Sequence, residues 1–253
     1  MYPLLPWGWV GAALTALVFL AVGIDDFGGL IGYTVPDNLV VRYLPIVALA
    51  AFGIIFGGTS YFAIWRWVWW AMPFLHKKFY PDVNGIYVGR IHSNYPLKNR
   101  MLEAAFAAKK IDEATLQATE LQEVAVAVEL RADFFRLKIL VASSATGGTS
   151  RTVIAKPWRD PGSDRVHLSN IYLQTVTTPA ASDEGMHFGA ADLEVDPGNR
   201  QTIGGVYWTR RRWQVGLNTA GTIKLKWQRE SLEKGKTLLD YAMEEQERIE
   251  AGA

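Results

Sequence analysis

Tyr207, Thr209 and Arg211 occupy alternate positions in GGVYWTRRRWQVG, residues 204–216, a run that begins with a Gly pair and reads as a β-strand. In an extended strand they share one face with Ile203, Trp213 and Val215, while Val206, Trp208, Arg210, Arg212 and Gln214 take the other. The three side chains supply an aromatic surface for a base, a hydroxyl to fix orientation and a guanidinium for phosphate. Their face is mostly apolar; if it is the inner one, Arg211 points inward. A buried guanidinium needs a partner. Either a strand carboxylate such as Glu194 or an anionic ligand meets that need.

The same mixture recurs on other strand-like runs. In RVHLSNIYLQT, Asn170 and Tyr172 share a face with Val166 and Leu168. In RTVIAKPW, Lys156 and Trp158 fall beside Thr152 and Ile154, and GIYVGRIHSNY offers Tyr87. The candidate ligand-binding set is therefore Tyr207, Thr209, Arg211, Tyr172, Asn170, Tyr87 and Trp158. Catalytic chemistry has less support. His76, His92, His167 and His187 show no metal-ligand spacing, and the chain has no cysteine, which excludes disulfides and thiolate sites. No G-x-S-x-G, P-loop or G-x-G-x-x-G unit occurs, and Asp192 and Glu194 read as a solvated strand face. The expectation is a binding protein without catalytic residues, metal or cofactor.

These residues need a scaffold that turns alternate side chains inward. QEVAVAVEL and FFRLKILVA alternate with period two, and together with MHFGAADLEV, TIKLKW and the four runs quoted above they make about eight strands. Turn signals such as TGGTS, RDPGSD, DPGNR and LNTAG separate them. Short strands in sequential connection predict an all-β antiparallel barrel, lipocalin-like and just wide enough for one small ligand. One helical insertion is predicted over 97–116, and a charged C-terminal helix over about 230–250.

Hydropathy separates a second part of the chain. Residues 1–65 carry only the charges Asp25, Asp26, Asp37 and Arg42, and the runs 5–24 and 43–65 are uncharged and long enough to span a bilayer. Trp65, Trp67, Trp69 and Trp70 resemble an interfacial aromatic belt after the second span. The connector is acidic, whereas Arg66, Lys77 and Lys78 follow the second span, which places the N-terminus and the C-terminal part in the cytoplasm. The predicted organisation is a two-helix transmembrane hairpin over 1–75, a β-barrel domain over 80–229 and a charged helix over 230–253. A net charge of +1 gives no general reason to expect DNA or RNA as partner.

Two spans followed by a strand-rich domain resemble the SMODS-associating two-transmembrane, β-strand-rich effector family of bacterial CBASS antiphage defence. NGIYVGRIHSNYP at 84–96 is similar to the family's opening Gly-x-aromatic-x-Gly strand, with Tyr87 where Trp is commoner. HFGAADLEV resembles its His-x-Gly strand, and GGVYWTRRRWQVGLNTAGTIKL its Gly-x-Tyr-x-Thr-x-Arg strand followed by Gly-x-Ile-x-Leu. The resemblance implies that the barrel binds a cyclic dinucleotide made by a partner nucleotidyltransferase. It further implies that binding drives homo-oligomerisation of the hairpins, disruption of the bacterial inner membrane and abortive infection. On residues alone, a membrane-anchored lipocalin-like carrier of an apolar ligand is the alternative, and a hydrolase whose site forms only in three dimensions is another.

Overall fold

The alternation that marks the strands is realised in a computed structural model of the chain, which describes residues 63–133, 135–176, 179 and 184–252, together with 47, 48 and 51. Apart from those few positions and residues 63–65, the two predicted spans lie outside the described residues. Among the described residues no helix is long and apolar enough to cross a membrane.

Eight antiparallel strands close into a barrel in chain order: β1 Gly85–Ser93, β2 Gln122–Ala132, β3 Leu137–Ser143, β4 Thr149–Arg159, β5 Val166–Thr175, β6 Met186–Asp196, β7 Asn199–Thr209 and β8 Ala220–Arg229. β8 pairs back onto β1, with Gly89 opposite Leu225. Closure of the sheet on itself leaves no unpaired edge. The tight β2–β3 connection is held by Asp133, whose Oδ1 accepts from the Phe135 and Arg136 amides at 2.7 and 2.6 Å.

One end of the barrel is sealed by the chain that precedes it. Helices α1 (Ile64–Ala71) and α2 (Phe74–Lys78) place Trp65, Trp69 and Leu75 in one core cluster with Tyr80, Val83, Tyr87, Leu130, Leu168, Val195 and Ile203. The Trp65 and Trp69 rings meet edge to face at 5.7 Å, and the Trp69 indole donates to the Tyr80 carbonyl at 2.8 Å. Between them Arg66, itself buried, donates to Asp82 at 2.6 Å and to both Glu230 oxygens at 2.8 and 2.9 Å. The expected aromatic belt is therefore split. Trp65 and Trp69 are 0 and 5% exposed, whereas Trp67 and Trp70 are 56 and 77% exposed. Helical geometry is the reason, because residues four apart share a face that the barrel end covers.

Three other expectations are corrected. The single helix predicted over 97–116 is two, α3 Tyr95–Phe106 and α4 Glu113–Gln117. Ala108 ends α3 in the left-handed region (φ 51°), with Lys109 bonding back to Ala104 and Ala108 to Ala105, a Schellman closure made without glycine. The C-terminal helix α5 begins at Leu238 rather than near Glu230, capped by Thr237 in a reciprocal box with Asp240. It packs Tyr241 and Ala242 on the outer faces of Ile86, Val88 and Ala127. Finally, strand β7 stops at Thr209. Arg210, Arg211 and Arg212 lie in the following turn, where Arg212 is left-handed (φ 37°), and Trp213–Val215 form a 3-10 turn with Trp213 exposed.

Candidate functional site

The lumen opposite the sealed end encloses a cavity of about 330 Å³. Its floor is apolar: Val126, Val128, Ile139, Leu193 and Leu225 line it, and all five belong to the cluster that holds Trp65 and Trp69. Its upper wall is polar. Strands of odd number end at this mouth and strands of even number begin there, so Ser93, Ser150, Gln174, His187, Thr209 and Thr219 converge from six segments of chain.

Five of the seven sequence candidates are brought together in this cavity: Asn170, Tyr172, Tyr207, Thr209 and Arg211. Tyr207 lies opposite Ala191 on β6, and Asn170 stands between Ala155 and Ala191, so small neighbours leave space around the polar groups. Two glycines seat the tyrosine rings. Tyr172 pairs with Gly189, where a Cβ would come within 2.6 Å of the ring's Cε2; Tyr207 pairs with Gly221, where a Cβ would stand 3.0 Å from Cε1 and closer still to the His92 carbonyl oxygen. Burial, and then the neighbouring Tyr207, raise the Tyr172 phenol above its ordinary value. Burial also raises Tyr207, partly offset by Ser93, the Arg211 charge and Thr219. Both phenols are therefore neutral near pH 7 and can donate as well as accept.

Thr209 is locked to β8: its Oγ1 lies 2.9 Å from Thr219 Oγ1 and accepts from the Thr219 amide at 3.1 Å. Arg211 sits over the ring of Tyr95 at 5.3 Å, a cation–π contact at the mouth. Tyr95 in turn opens α3, and the neighbouring Asn94 accepts from the Ala220 amide at 2.9 Å, which ties that helix to the rim. Asn170 is 6% exposed, and its Oδ1 has no hydrogen-bond partner within the described residues. A buried orphan acceptor costs on the order of 1–3 kcal/mol, so the position favours a donor brought by a ligand or by water.

Tyr87 and Trp158 are elsewhere. Tyr87 points inward but lies near the start of β1, in the sealed half, with its hydroxyl donating to the Arg200 carbonyl at 3.2 Å. Trp158 is on the outer wall. β4 carries an extra residue between Thr152 and Ile154, and this bulge reverses the alternation beyond it. Thr152 faces β3, bonding the Ile139 backbone, while Trp158 stacks on His167 at 4.2 Å and donates to Ser169 at 2.8 Å. On that outer face Asp192 accepts from Ser169 at 2.7 Å and lies 2.7 Å from His167 Nδ1. Glu194 pairs with Arg165 on the outside, and so does not serve Arg211.

Sequence reasoning missed Ser93, Tyr95, Ser150, Gln174, His187 and Thr219. The available signal was positional: Ser93, Ser150, Gln174 and His187 are polar at the mouth end of their strands, and Tyr95 and Thr219 lie just beyond a strand end at the rim. Among the described residues that line the cavity none is Asp or Glu, and Arg211 is the one Lys or Arg. A closed wall, one sealed end and one polar mouth form the architecture of small-ligand barrels.

Comparison with known proteins gives a more specific likeness. The chain is 29% identical over 166 residues to CD-NTase-associated protein 15 of Escherichia albertii, covering 65% of this chain and 71% of that protein. No family model matches the chain.

Proposed function

We propose that this chain is a membrane-anchored CBASS effector whose lumen binds a cyclic dinucleotide made by a partner nucleotidyltransferase. The observation that carries the reading is the composition of the mouth: Arg211, the two neutral tyrosines and the orphan Asn170 acceptor converge on a cavity that has no carboxylate among the described residues lining it. Arg211 matches a phosphate, Tyr172 and Tyr207 match base or ribose edges, and Asn170 Oδ1 matches an N–H of a base. A volume of about 330 Å³ is at the lower end of small-ligand sites, roughly 300–1,000 Å³, so part of a dinucleotide ring would stand in the open mouth. The similarity to a CD-NTase-associated protein supports the same assignment and the link to a nucleotidyltransferase.

On this reading the chain is a receptor rather than an enzyme. The uncharged runs 5–24 and 43–65 anchor it in the bacterial inner membrane, and the barrel is cytoplasmic. Ligand binding shifts the population toward an assembled form, which disrupts the membrane and aborts infection; it does so only as far as the ligand binds that form better than the free one. The apolar floor favours a second reading, a carrier of an apolar ligand, but such a ligand would leave the buried Asn170 acceptor unanswered.

Titration of the full chain in detergent with cyclic dinucleotides separates the two. Arg211→Ala is expected to weaken binding by about ten-fold or more, the loss of one charge-assisted hydrogen bond, with the melting temperature kept. Unchanged affinity in a folded variant refutes the assignment of Arg211. Tight binding of a fatty acid with no response to any cyclic dinucleotide favours the carrier.

A further inference from the structure

Helix α1 has two faces, and the barrel uses only one. Trp65, Arg66 and Trp69 are buried against the sealed end, and the Arg66 ion pairs with Asp82 and Glu230 fix the rotation of the helix about its axis. Ile64, Trp67 and Trp70 are consequently held outward, and Met72 and Phe74 in the next turn of chain are exposed beside them. With Val68, six large apolar side chains within eleven residues are left open, and nothing among the described residues covers them. A patch of this kind marks a contact surface.

We propose that this face lies in the headgroup region of a lipid bilayer, so that one helix closes the sealed end of the barrel on one side and forms the membrane contact on the other. The inference rests on the anchored reading above and adds to it an orientation and a contact surface. Three observations choose lipid as the occupant. The uncharged run that begins at Tyr43 reaches α1 directly, so the medium that holds that run adjoins this face. The exposed residues include two tryptophans, whose amphipathic rings concentrate at the membrane interface. Lys77 and Lys78, both exposed at the end of α2, bring positive charge beside the patch, as an anionic leaflet would favour.

The arrangement directs the barrel mouth away from the bilayer, since mouth and sealed end are opposite ends of the same strands. It also places Trp65 and Trp69 in the same packed cluster as the floor residues Leu193 and Leu225. A change of floor packing on ligand entry would therefore reach the membrane-facing helix without an intervening linker.

The chain has no cysteine, so single cysteines can be spin-labelled without background. The full chain is reconstituted in phosphatidylcholine vesicles containing phosphatidylglycerol, carrying Trp67→Cys, Trp70→Cys or Phe74→Cys. Val153→Cys on the exposed outer wall and Val18→Cys in the first span serve as references. Collision with oxygen is compared with collision with an aqueous nickel chelate. The expected result is an oxygen-to-chelate ratio at Trp70 and Trp67 several-fold above Val153 and below Val18. A ratio equal to that at Val153 overturns the contact while leaving the anchor standing. Exclusion of both reagents overturns it in favour of a protein partner. An aqueous ratio at Val18 overturns the anchor and the contact together.

Discussion

Gly189→Ala isolates the seating of Tyr172 from every other feature of the lumen. The added Cβ would lie 2.6 Å from Cε2 and closer still to Cζ and the hydroxyl. Carbon atoms prefer about 3.5–4.0 Å, so the overlap is close to 1 Å or more. The Cβ belongs to the wall of a closed sheet, directly across from Tyr172, and cannot withdraw, so the ring must swing into the cavity. Overpacking of this kind costs about 1–3 kcal/mol. For a domain of this size each kcal/mol lowers the melting temperature by roughly 2–4 °C, which predicts a fall of about 2–12 °C. Calorimetry of the detergent-solubilised chain measures it, and titration with a cyclic dinucleotide measures the accompanying loss of affinity. The decisive control is the pair with Tyr172→Ala, which removes the ring that clashes. Gly189→Ala should then cost much less in the double variant than alone, a coupling of the sign expected for groups in contact. A parent-like melting temperature for Gly189→Ala, or strict additivity in the double variant, refutes the account of the glycine.

Further outcomes follow from the same geometry. Trp158→Ala, on the outer wall, should change dinucleotide affinity by less than about two-fold, the reverse of what its sequence pattern suggested. Trp69→Ala should destabilise the barrel by about 3–5 kcal/mol in chemical denaturation, and a fragment starting at residue 80 should be less stable than one starting at 63 because it lacks the side chains that seal the barrel end. His76 is held neutral by burial and, secondarily, by the Arg200 charge, with Asp82 opposing, at a pKa of about 4, and it accepts the Asp82 amide at 3.1 Å. Between pH 6.5 and 4 the unfolded chain binds a proton that the folded chain refuses, so stability should fall with pH across that window by up to about 3 kcal/mol. His76→Gln should flatten that slope.

The strand count and the inward faces of β2, β3, β5, β6 and the first part of β7 were legible because period-two alternation survives wherever the register is regular. Trp158 was misplaced because a bulge is one inserted residue with no sequence mark at Val153, and every side chain beyond it changes face. Arg211 was grouped with Tyr207 and Thr209 by an alternation that ends at Thr209; it still reaches the lumen, but from the turn. Tyr87 faces inward as alternation requires, yet its distance along β1 puts it in the sealed half. Face is written in the sequence more clearly than depth. The tryptophans show the same limit, since hydropathy alone does not distinguish a barrel floor from a bilayer surface.

The lock on α1 also sets an order in time. Arg66 and its partner Glu230 are 164 residues apart, and β1 meets its second neighbour only when β8 arrives. At about 5–20 residues per second, roughly 8–33 s of synthesis separate the two halves of that ion pair. Helix α1, made before any barrel strand, is thus among the last parts to be fixed. A ribosome that stops before residue 220 leaves a chain with its N-terminal segments complete and its barrel still open.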